Sequence, residues 1–226
     1  MKRRPPIARI ISQLLFFVVF IVLIRMKRPM NWMIVFVVSA LLSAVFSRFY
    51  CGWICPINTA MQVSEWIGRK LRIQNRQVPK ALRSGAFGYV MLGLTLVLAF
   101  LNVTHRVKLP FLLIMTAAGF LVTLRYTQSV WHNYLCPYGL LLRLPSRFAR
   151  FGMNVGSACV PSCDKCARVC PAEAVEIDSR GAEIDPSLCL VCRKCSVVCP
   201  THAIAYGRTP HDESPAPPAR SVVGAK

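Results

Sequence analysis

The chain has 226 residues, a formal net charge of +19, 54% hydrophobic residues and only 16% charged residues. This balance is too apolar for an ordinary soluble domain and favours a membrane protein. The composition also argues against nucleic-acid binding. The basic residues stand at the ends of apolar runs and do not alternate with aromatic residues on a polar surface.

Four apolar runs occupy the first part of the chain, and each is close to the ~20 residues that a helix needs to cross a bilayer. They are Ile7–Ile24, Met30–Ser47, Gly85–Val103 and Leu109–Val130. We therefore expect a mainly α-helical membrane domain over residues 1–145, with four transmembrane helices. Buried helices of a soluble protein are the alternative, but this part of the chain has too little polar surface to cover them.

The first run follows a basic start without a small-residue cleavage pattern, so we expect a retained helix rather than a signal peptide or twin-arginine leader. Positive charges at helix ends assign the sides of the bilayer. Fourteen positive charges fall on one side, namely Lys2, Arg3, Arg4, Arg9, Arg48, Arg69, Lys70, Arg72, Arg76, Lys80, Arg83, Arg143, Arg147 and Arg150. Five fall on the other side, namely Arg25, Lys27, Arg28, Arg106 and Lys108. The bias predicts a multi-pass protein with both termini in the cytoplasm.

The loop after the second run contains a further helical pattern. Within Tyr50–Ser84, the stretch Asn58–Ile73 has apolar residues at near-helical spacing and ends in Lys and Arg. This pattern predicts an amphipathic helix. Two placements stay open: the helix lies on the inner membrane surface, or it packs against the helical bundle.

Eight of the 11 cysteines fall in two closely spaced runs near the C terminus. The runs are Cys159-x3-Cys163-x2-Cys166-x3-Cys170-Pro171 and Cys189-x2-Cys192-x2-Cys195-x3-Cys199-Pro200. Both resemble the repeat of bacterial two-cluster ferredoxins, in which each run supplies three thiolates to one cluster and its Cys-Pro cysteine to the other. A zinc ribbon would not need eight cysteines that end twice in Cys-x3-Cys-Pro.

The resemblance implies a small α+β ferredoxin domain over residues 146–206 that holds two [4Fe–4S] clusters. Cluster one then takes Cys159, Cys163, Cys166 and Cys199, and cluster two takes Cys170, Cys189, Cys192 and Cys195. The first gap of the first run is one residue wider than the usual two and includes Pro161. This departure leaves a [3Fe–4S] or labile first cluster open as an alternative.

Short strands and a tail complete this part of the sequence. Ala174–Ile177 and Ala182–Ile184 flank a Ser-Arg-Gly turn and predict a β-hairpin, and the same pattern returns at Ala203–Tyr206. Residues 207–226 are rich in Pro and Ala without apolar periodicity, which predicts a disordered tail.

Three more cysteines follow the second and fourth apolar runs, in FYCGWICP and HNYLCPYG. Together with the C-terminal cysteines, these motifs resemble the NapH family of ferredoxin-type membrane proteins, with its NosR, MauN and CcoG-type relatives. The family pattern has two Cys-x3-Cys-Pro motifs, whereas His132 stands at the first position of the second motif here. A histidine can replace a thiolate at an iron centre. Either Cys51, Cys55, His132 and Cys136 form an additional metal or cluster site, or they are unmetallated.

The resemblance covers residues 1–206 and implies a protein of the bacterial inner membrane. It also implies a quinol dehydrogenase-like electron-transfer subunit between the quinone pool and a redox partner complex, such as a periplasmic cytochrome or reductase. The alternatives are a redox assembly factor for a metalloenzyme and a membrane-tethered ferredoxin with a cytoplasmic electron donor. Whether the chain is itself an enzyme stays open. Arg125, Trp131 and His132 are candidate quinone contacts. Haem and nucleotide motifs are absent from the sequence.

Overall fold

The computed structural model describes residues 7–26, 31–75, 85–104 and 111–209. Helices dominate the first part of these ranges, and short strands follow in the C-terminal part. Several predictions fall outside the described residues, namely most of the tail expected to be disordered (210–226) and the charges Lys2, Arg3, Arg4, Lys27, Arg28, Arg76, Lys80, Arg83, Arg106 and Lys108.

The N-terminal part is built from eight helices within the described residues. In chain order they are α1 Ile7–Arg25, α2 Asn31–Phe46, α3 Phe49–Trp53, α4 Pro56–Lys70, α5 Gly85–Thr104, α6 Phe111–Arg125, α7 Gln128–Val130 and α8 Pro137–Ser146, with a π-helical turn, Trp131–Leu135, before α8. The helices α1, α2 and α5 match the first three predicted runs to within one residue at each end.

The fourth predicted run is too long at its C-terminal end. The helix α6 ends at Arg125 rather than at Val130. Thr127 is extended, with φ −71° and ψ 155°, and its Oγ1 lies 2.8 Å from the Oγ of Ser129. Such local hydroxyl contacts compete with helical hydrogen bonds. The chain therefore restarts as α7 instead of continuing α6.

The lengths of the apolar helices differ from the expectation of four membrane spans. One described helix, α1, is long and apolar enough to cross a bilayer. The helices α2 and α6 are apolar but have 16 and 15 residues. At 1.5 Å per residue they are roughly 24 and 22 Å long, against a hydrocarbon core of ~30 Å. The apolar stretch described within α5 is Gly88–Leu98, which is shorter still, so α1 is the one clear candidate span among the described residues.

The predicted amphipathic helix is α4, and it packs against α6. The hydroxyl of Ser64 donates a 2.6 Å hydrogen bond to the carbonyl oxygen of Phe120. A Cβ on Gly68 would come within 2.6 Å of the carbonyl oxygen of Leu124, so the two backbones touch at this glycine. Trp66 is 63% exposed on the other face. The structure thus supports packing against the bundle.

The helical part contains a structural repeat. In each half a long apolar helix is followed by a short helix, a Cys-Pro step and a second helix that begins at Pro56 or Pro137. A proline at this first helical position has a backbone already suited to the helix. The last helix of each half packs on the long helix of the other half, α4 on α6 and α8 on α2. The two Cys-Pro motifs therefore lie at the crossing of the halves.

The C-terminal part has two small antiparallel sheets and two short helices, α9 Lys165–Arg168 and α10 Lys194–Val198. The predicted hairpin is present, with β2 Val175–Asp178 paired to β3 Gly181–Ile184. The strand β4, Ile204–Arg208, continues two residues beyond the domain end expected at 206. It pairs with β1, Phe151–Val155, a strand that the sequence did not predict.

The C-terminal part docks onto the end of α2 and onto α3. The hydroxyl of Ser47 donates to the carbonyl oxygen of Pro186 at 2.9 Å, and the indole Nε1 of Trp53 donates to the carbonyl oxygen of Val191 at 3.0 Å. The rings of Phe46 and Phe151 stack with centroids 5.8 Å apart. The segment that carries the second cysteine run is thereby held against the helical part.

Candidate iron–sulfur sites

The eight C-terminal cysteines line two cavities of similar size. The first has about 310 Å³ of space without protein atoms and is lined by Cys159, Cys163, Cys166 and Cys199. The second has about 330 Å³ and is lined by Cys170, Cys189, Cys192 and Cys195. Each group combines three cysteines of one run with the Cys-Pro cysteine of the other. Four thiols around one space are the donor set that a [4Fe–4S] cluster needs, so these residues fit that cofactor.

Backbone conformation bends the second run around its cavity. Val191 and Arg193 have left-handed φ angles of 52° and 59°. This conformation is rare for a β-branched residue such as valine and requires support from its surroundings. The amide of Val191 lies 3.4 Å from the Sγ of Cys189, so the bend directs an N–H group at a thiol of the cavity.

The first run reaches its cavity by a different route. None of its non-glycine residues between Cys159 and Cys170 has a left-handed φ. Pro161 excludes that conformation because its ring holds φ near −65°. Three residues, rather than two, lie between Cys159 and Cys163. The first run therefore has a longer loop at the place where the second run has left-handed residues. Cys159 accepts a hydrogen bond from the amide of Ala182 at 3.4 Å, which ties this loop to β3.

The segments that follow the two Cys-Pro cysteines adopt the same turn conformation. Glu173 and His202, each three residues after the Cys-Pro cysteine, have φ angles of 50° and 56°. In the first turn the amide of Ala174 donates to the Sγ of Cys170 at 3.3 Å. The repeat in sequence is therefore also a repeat in backbone conformation.

The two groups of thiols differ in their surroundings. Burial raises the pKa of Cys189 well above its usual range and that of Cys195 to about 12. Burial also acts on Cys199, but hydrogen bonds from the Thr201 hydroxyl and from backbone amides outweigh it and lower the pKa of this thiol. In the first group only Cys166 is buried, whereas in the second group Cys189, Cys192 and Cys195 are buried and only Cys170 is partly exposed. Because iron binds the thiolate, metal must displace protons from the second group.

The three remaining cysteines are buried where the two halves of the helical part cross. Cys51 lies in α3, and Cys55 and Cys136 cap the N-terminal ends of α4 and α8. Burial raises the pKa of all three thiols, that of Cys136 to about 12, and repulsion among their thiolates adds to the rise for Cys55 and Cys136. Within the described ranges, no three His, Cys, Asp or Glu side chains are close enough to hold a single metal ion.

His132 lies in the π-helical turn and has a partner of its own. Its Nε2 is 3.3 Å from the Oδ1 of Asn58 in α4. Burial, followed by the charges of Arg48 and Lys194, lowers the pKa of His132 to about 3, so the imidazole is neutral at physiological pH. The three thiols are near enough to interact electrostatically, whereas the Nε2 of His132 faces Asn58.

Two arginines that the charge count places on the cytoplasmic side are buried within the protein. Arg48 is 1% exposed, and its guanidinium donates to the carbonyl oxygens of Ser187 and His132 at 3.4 and 3.5 Å. Arg9 is 3% exposed, and its Nε donates to the carbonyl oxygen of Gly52 at 3.1 Å. The positive-charge count missed both roles. In the sequence, the only sign of a structural role was that Arg48 directly precedes the motif FYCGWICP.

The candidate quinone contacts occupy different environments. Arg125 ends α6, and its Nη1 donates to the carbonyl oxygen of Ile73 at 3.0 Å, which anchors the chain after α4. Trp131 is buried beside His132 in the π-helical turn, and its Nε1 has no hydrogen-bond partner among the described residues.

Comparisons with known proteins agree with this layout. A family model described as a 4Fe-4S binding domain matches residues 29–74 and 109–155, and another 4Fe-4S binding domain model matches residues 182–204. The first model thus matches once in each half of the helical repeat, over the segments that contain the Cys-Pro motifs. The second model covers the run that lines the second cavity. No solved structure matches the chain.

Several curated relatives, three of which follow, are similar over more than half of the chain. The regulatory protein NosR of Pseudomonas aeruginosa is 31% identical over 62% of this chain and 22% of its own length. The methylamine utilization ferredoxin-type protein MauN of Methylobacillus flagellatus is 29% identical over 55% and 48% of the two chains. The ferredoxin-type protein NapH of Haemophilus influenzae is 27% identical over 64% and 55%. The chain thus spans about half or less of the length of these relatives. With its two sets of four cysteines and its matches to 4Fe-4S binding domains, the chain is an iron–sulfur protein that is similar to the NapH/NosR/MauN-type polyferredoxins.

Proposed function

We propose that the protein is a membrane-bound electron-transfer subunit that exchanges electrons between the quinone pool and a redox partner complex. The observation that carries this proposal is the docking of the second cysteine run on the apolar helical part. Trp53 donates to the carbonyl oxygen of Val191, and Arg48 donates to that of Ser187. Iron–sulfur clusters supply one-electron chemistry, and the protein supplies their position and environment.

We assign the ligands by cavity. Cys159, Cys163, Cys166 and Cys199 hold cluster one, and Cys170, Cys189, Cys192 and Cys195 hold cluster two. The lining of the two cavities supports both sets. The longer loop at Pro161 is compatible with a complete set of four ligands, because all four thiols still line the first cavity.

We further propose that α1, α2, α5 and α6 all span the bilayer. Large apolar side chains are exposed on each of them, in a pattern that water would disfavour. Examples are Leu14 and Val18 in α1, Ile34 and Leu41 in α2, Val90 and Phe100 in α5, and Leu121 in α6. A span shorter than the hydrocarbon thickness is accommodated by local thinning of the bilayer at modest cost.

The ends of these helices support a common side for α1 and the ferredoxin domain. Ser12 and Gln13, near the start of α1, donate to the carbonyl oxygens of Trp53 and Gly52. The start of α1, the end of α2 and the docked C-terminal part therefore lie at one end of the molecule. With the excess of Lys and Arg at this end, we place it in the cytoplasm of a bacterial cell.

The thiols Cys51, Cys55 and Cys136 are proposed as ligands of a third redox centre at the membrane face, a cluster rather than a single metal ion. Two helix N-termini and the buried Arg48 supply positive charge there, which stabilises an anionic thiolate centre. The match of a 4Fe-4S binding domain model to both surrounding segments also supports a centre. Iron per chain tests it: changing all three to Ser should lower iron content, and unchanged iron would remove this centre from the proposal.

The main proposal is tested with the purified full-length protein in lipid nanodiscs under anaerobic conditions. A soluble quinol analogue is added, and cluster reduction is followed by the loss of visible absorbance. We expect reduction on a turnover timescale. A Cys189→Ser variant checks that the signal requires cluster two. Absence of reduction by quinol, with reduction of a copper or disulfide client instead, would favour an assembly role. Reduction only by a soluble ferredoxin reductase would favour a tethered ferredoxin.

A further inference from the structure

Two cations, the buried Arg9 and the half-buried Lys194, lie near the second cavity. Arg9 comes from α1 of the helical part, and Lys194 is the first residue of α10 and lines the cavity itself. Neither belongs to an ion pair among those that the described residues form. Glu65, the carboxylate whose charge acts on Lys194, is already paired with Arg69 at 2.7 Å.

A single glycine joins Arg9 to the cysteine run. The guanidinium of Arg9 and the amide of Gln13 donate to the carbonyl oxygen of Gly52 at 3.1 and 2.9 Å. Gly52 in turn lies against the loop, because a Cβ at this position would overlap the carbonyl oxygen of Leu190 and come within 3.6 Å of the amide nitrogen of Cys192. The helix α1 is thereby pinned to the segment that carries Cys192.

Both positive charges act on the same ligand. The charges of Arg9 and Lys194 each interact favourably with the thiolate of Cys192. A buried cation without a partner is costly, and here the compensating negative charge is the cluster with its thiolates. The reduced cluster carries one more negative charge than the oxidised cluster. Buried positive charges therefore favour reduction, whereas burial alone opposes it.

We propose that Arg9 and Lys194 raise the reduction potential of the cluster held by Cys170, Cys189, Cys192 and Cys195, so that a helix of the membrane part tunes the ferredoxin domain. This inference rests on the proposed function only in requiring that the eight cysteines hold two clusters. Both residues are positioning residues, since they act on the cluster through its electrostatic environment.

The first cavity lacks this arrangement. The cation that lines it, Lys165, is exposed. Water and salt screen an exposed charge far more than a buried one. Lys165→Gln therefore removes the same charge beside the other cluster and serves as the matched control.

The test is redox titration of the full-length protein, monitored by the electron paramagnetic resonance signals of the reduced clusters. Iron per chain is measured first. Two clusters per chain satisfy the proposed function, and their absence would refute it before the tuning is tested. We expect Arg9→Gln to lower one of the two midpoint potentials. The reduced-to-oxidised ratio at a fixed potential should fall about tenfold, which is 59 mV for a one-electron couple. Arg9→Lys should restore most of the shift.

Lys194→Gln should lower the same midpoint potential as Arg9→Gln, and Lys165→Gln should leave that potential in place. If Arg9→Gln loses iron, Lys194→Gln and Arg9→Lys still decide the question. The proposal is overturned if Lys194→Gln leaves both potentials unchanged, if the Arg9 and Lys194 variants move different clusters, or if Lys165→Gln produces the same shift.

Discussion

The guanidinium Nη2 of Arg48 lies 3.5 Å from the carbonyl oxygen of His132, and this contact joins the two halves of the helical repeat at their Cys-Pro motifs. Its Nη1 reaches Ser187 in the ferredoxin domain at 3.4 Å. One buried side chain therefore connects three segments that are distant in sequence. Gly139 makes space for the guanidinium because it has no side chain: a Cβ at this position would lie 2.6 Å from Nη2.

Replacing Arg48 by Met should destabilise the protein. The change leaves two buried carbonyl oxygens without donors and removes the positive charge beside Cys51. Hydrogen bonds to charged groups contribute roughly 1.5–3 kcal/mol each, and both bonds are long here, at 3.4 and 3.5 Å, so we expect a smaller combined loss of about 2–4 kcal/mol. Thermal unfolding of the detergent-solubilised protein measures it. Arg48→Lys is the control that retains charge, and equal midpoints for wild type and Arg48→Met would contradict the role.

Replacing Gly52 by Ala should weaken the docking of the ferredoxin domain. The new Cβ would overlap the carbonyl oxygen of Leu190, and backbone cannot move aside as a side chain can. Such overpacking costs about 1–3 kcal/mol. Limited proteolysis between the two parts should become faster. Gly93→Ala is the matched control, because nothing lies within 4 Å of its Cβ position in α5. There the change should be neutral or slightly stabilising.

The cluster-free protein should lose stability in alkali. Burial raises the pKa of Cys136 and Cys195 to about 12 in the folded state, whereas an unfolded cysteine titrates near ~8.5. Between these values the folded state binds more protons than the unfolded state, so stability is full below the unfolded pKa and falls as pH rises towards 12. Denaturant midpoints at several pH values between neutrality and strong alkali measure this. A midpoint that rises with pH would contradict the assigned burial.

A charge on the exposed apolar face of α2 should impair membrane insertion. Leu41 is 74% exposed near the middle of this helix. If α2 spans the bilayer, Leu41→Arg costs roughly 2.5–3.5 kcal/mol on insertion scales. We expect less protein in the alkali-resistant membrane fraction. Leu71→Arg is the control, since Leu71 is also exposed but ends α4. Equal membrane yields for both variants would argue against a span at α2.

The spacing of cysteines carried most of the information about the iron–sulfur sites. Ligand loops are local, so the three thiols that each run gives to its own cavity were predictable from sequence. The repeat also predicted that Cys170 and Cys199 each belong to the cavity of the other run. The extra residue beside Pro161 was visible, but its consequence was not. Only the backbone separates a lengthened loop from one bent by left-handed residues such as Val191.

The charge pattern was less informative about individual residues. A count of Lys and Arg assigns cations to a side of the bilayer, and it did not reveal that Arg9 and Arg48 are buried. The strand β1 was also missed. Its sequence, FGMNV, has weak strand propensity, and it is a strand because β4 pairs with it from more than fifty residues away.

The sequence by itself determined the cofactor class, the helical periodicity and the three cysteines that precede the helices of the Cys-Pro motifs, because these depend on local spacing and residue chemistry. The tertiary structure decided that α4 and α8 pack on the opposite half, that Gly52 touches the second cysteine run, and that Arg9 is buried beside it. Those features depend on which surfaces meet across long separations in sequence. Burial then changes what a charge does, since the same arginine is screened at a membrane surface and strongly coupled to a cluster inside the protein.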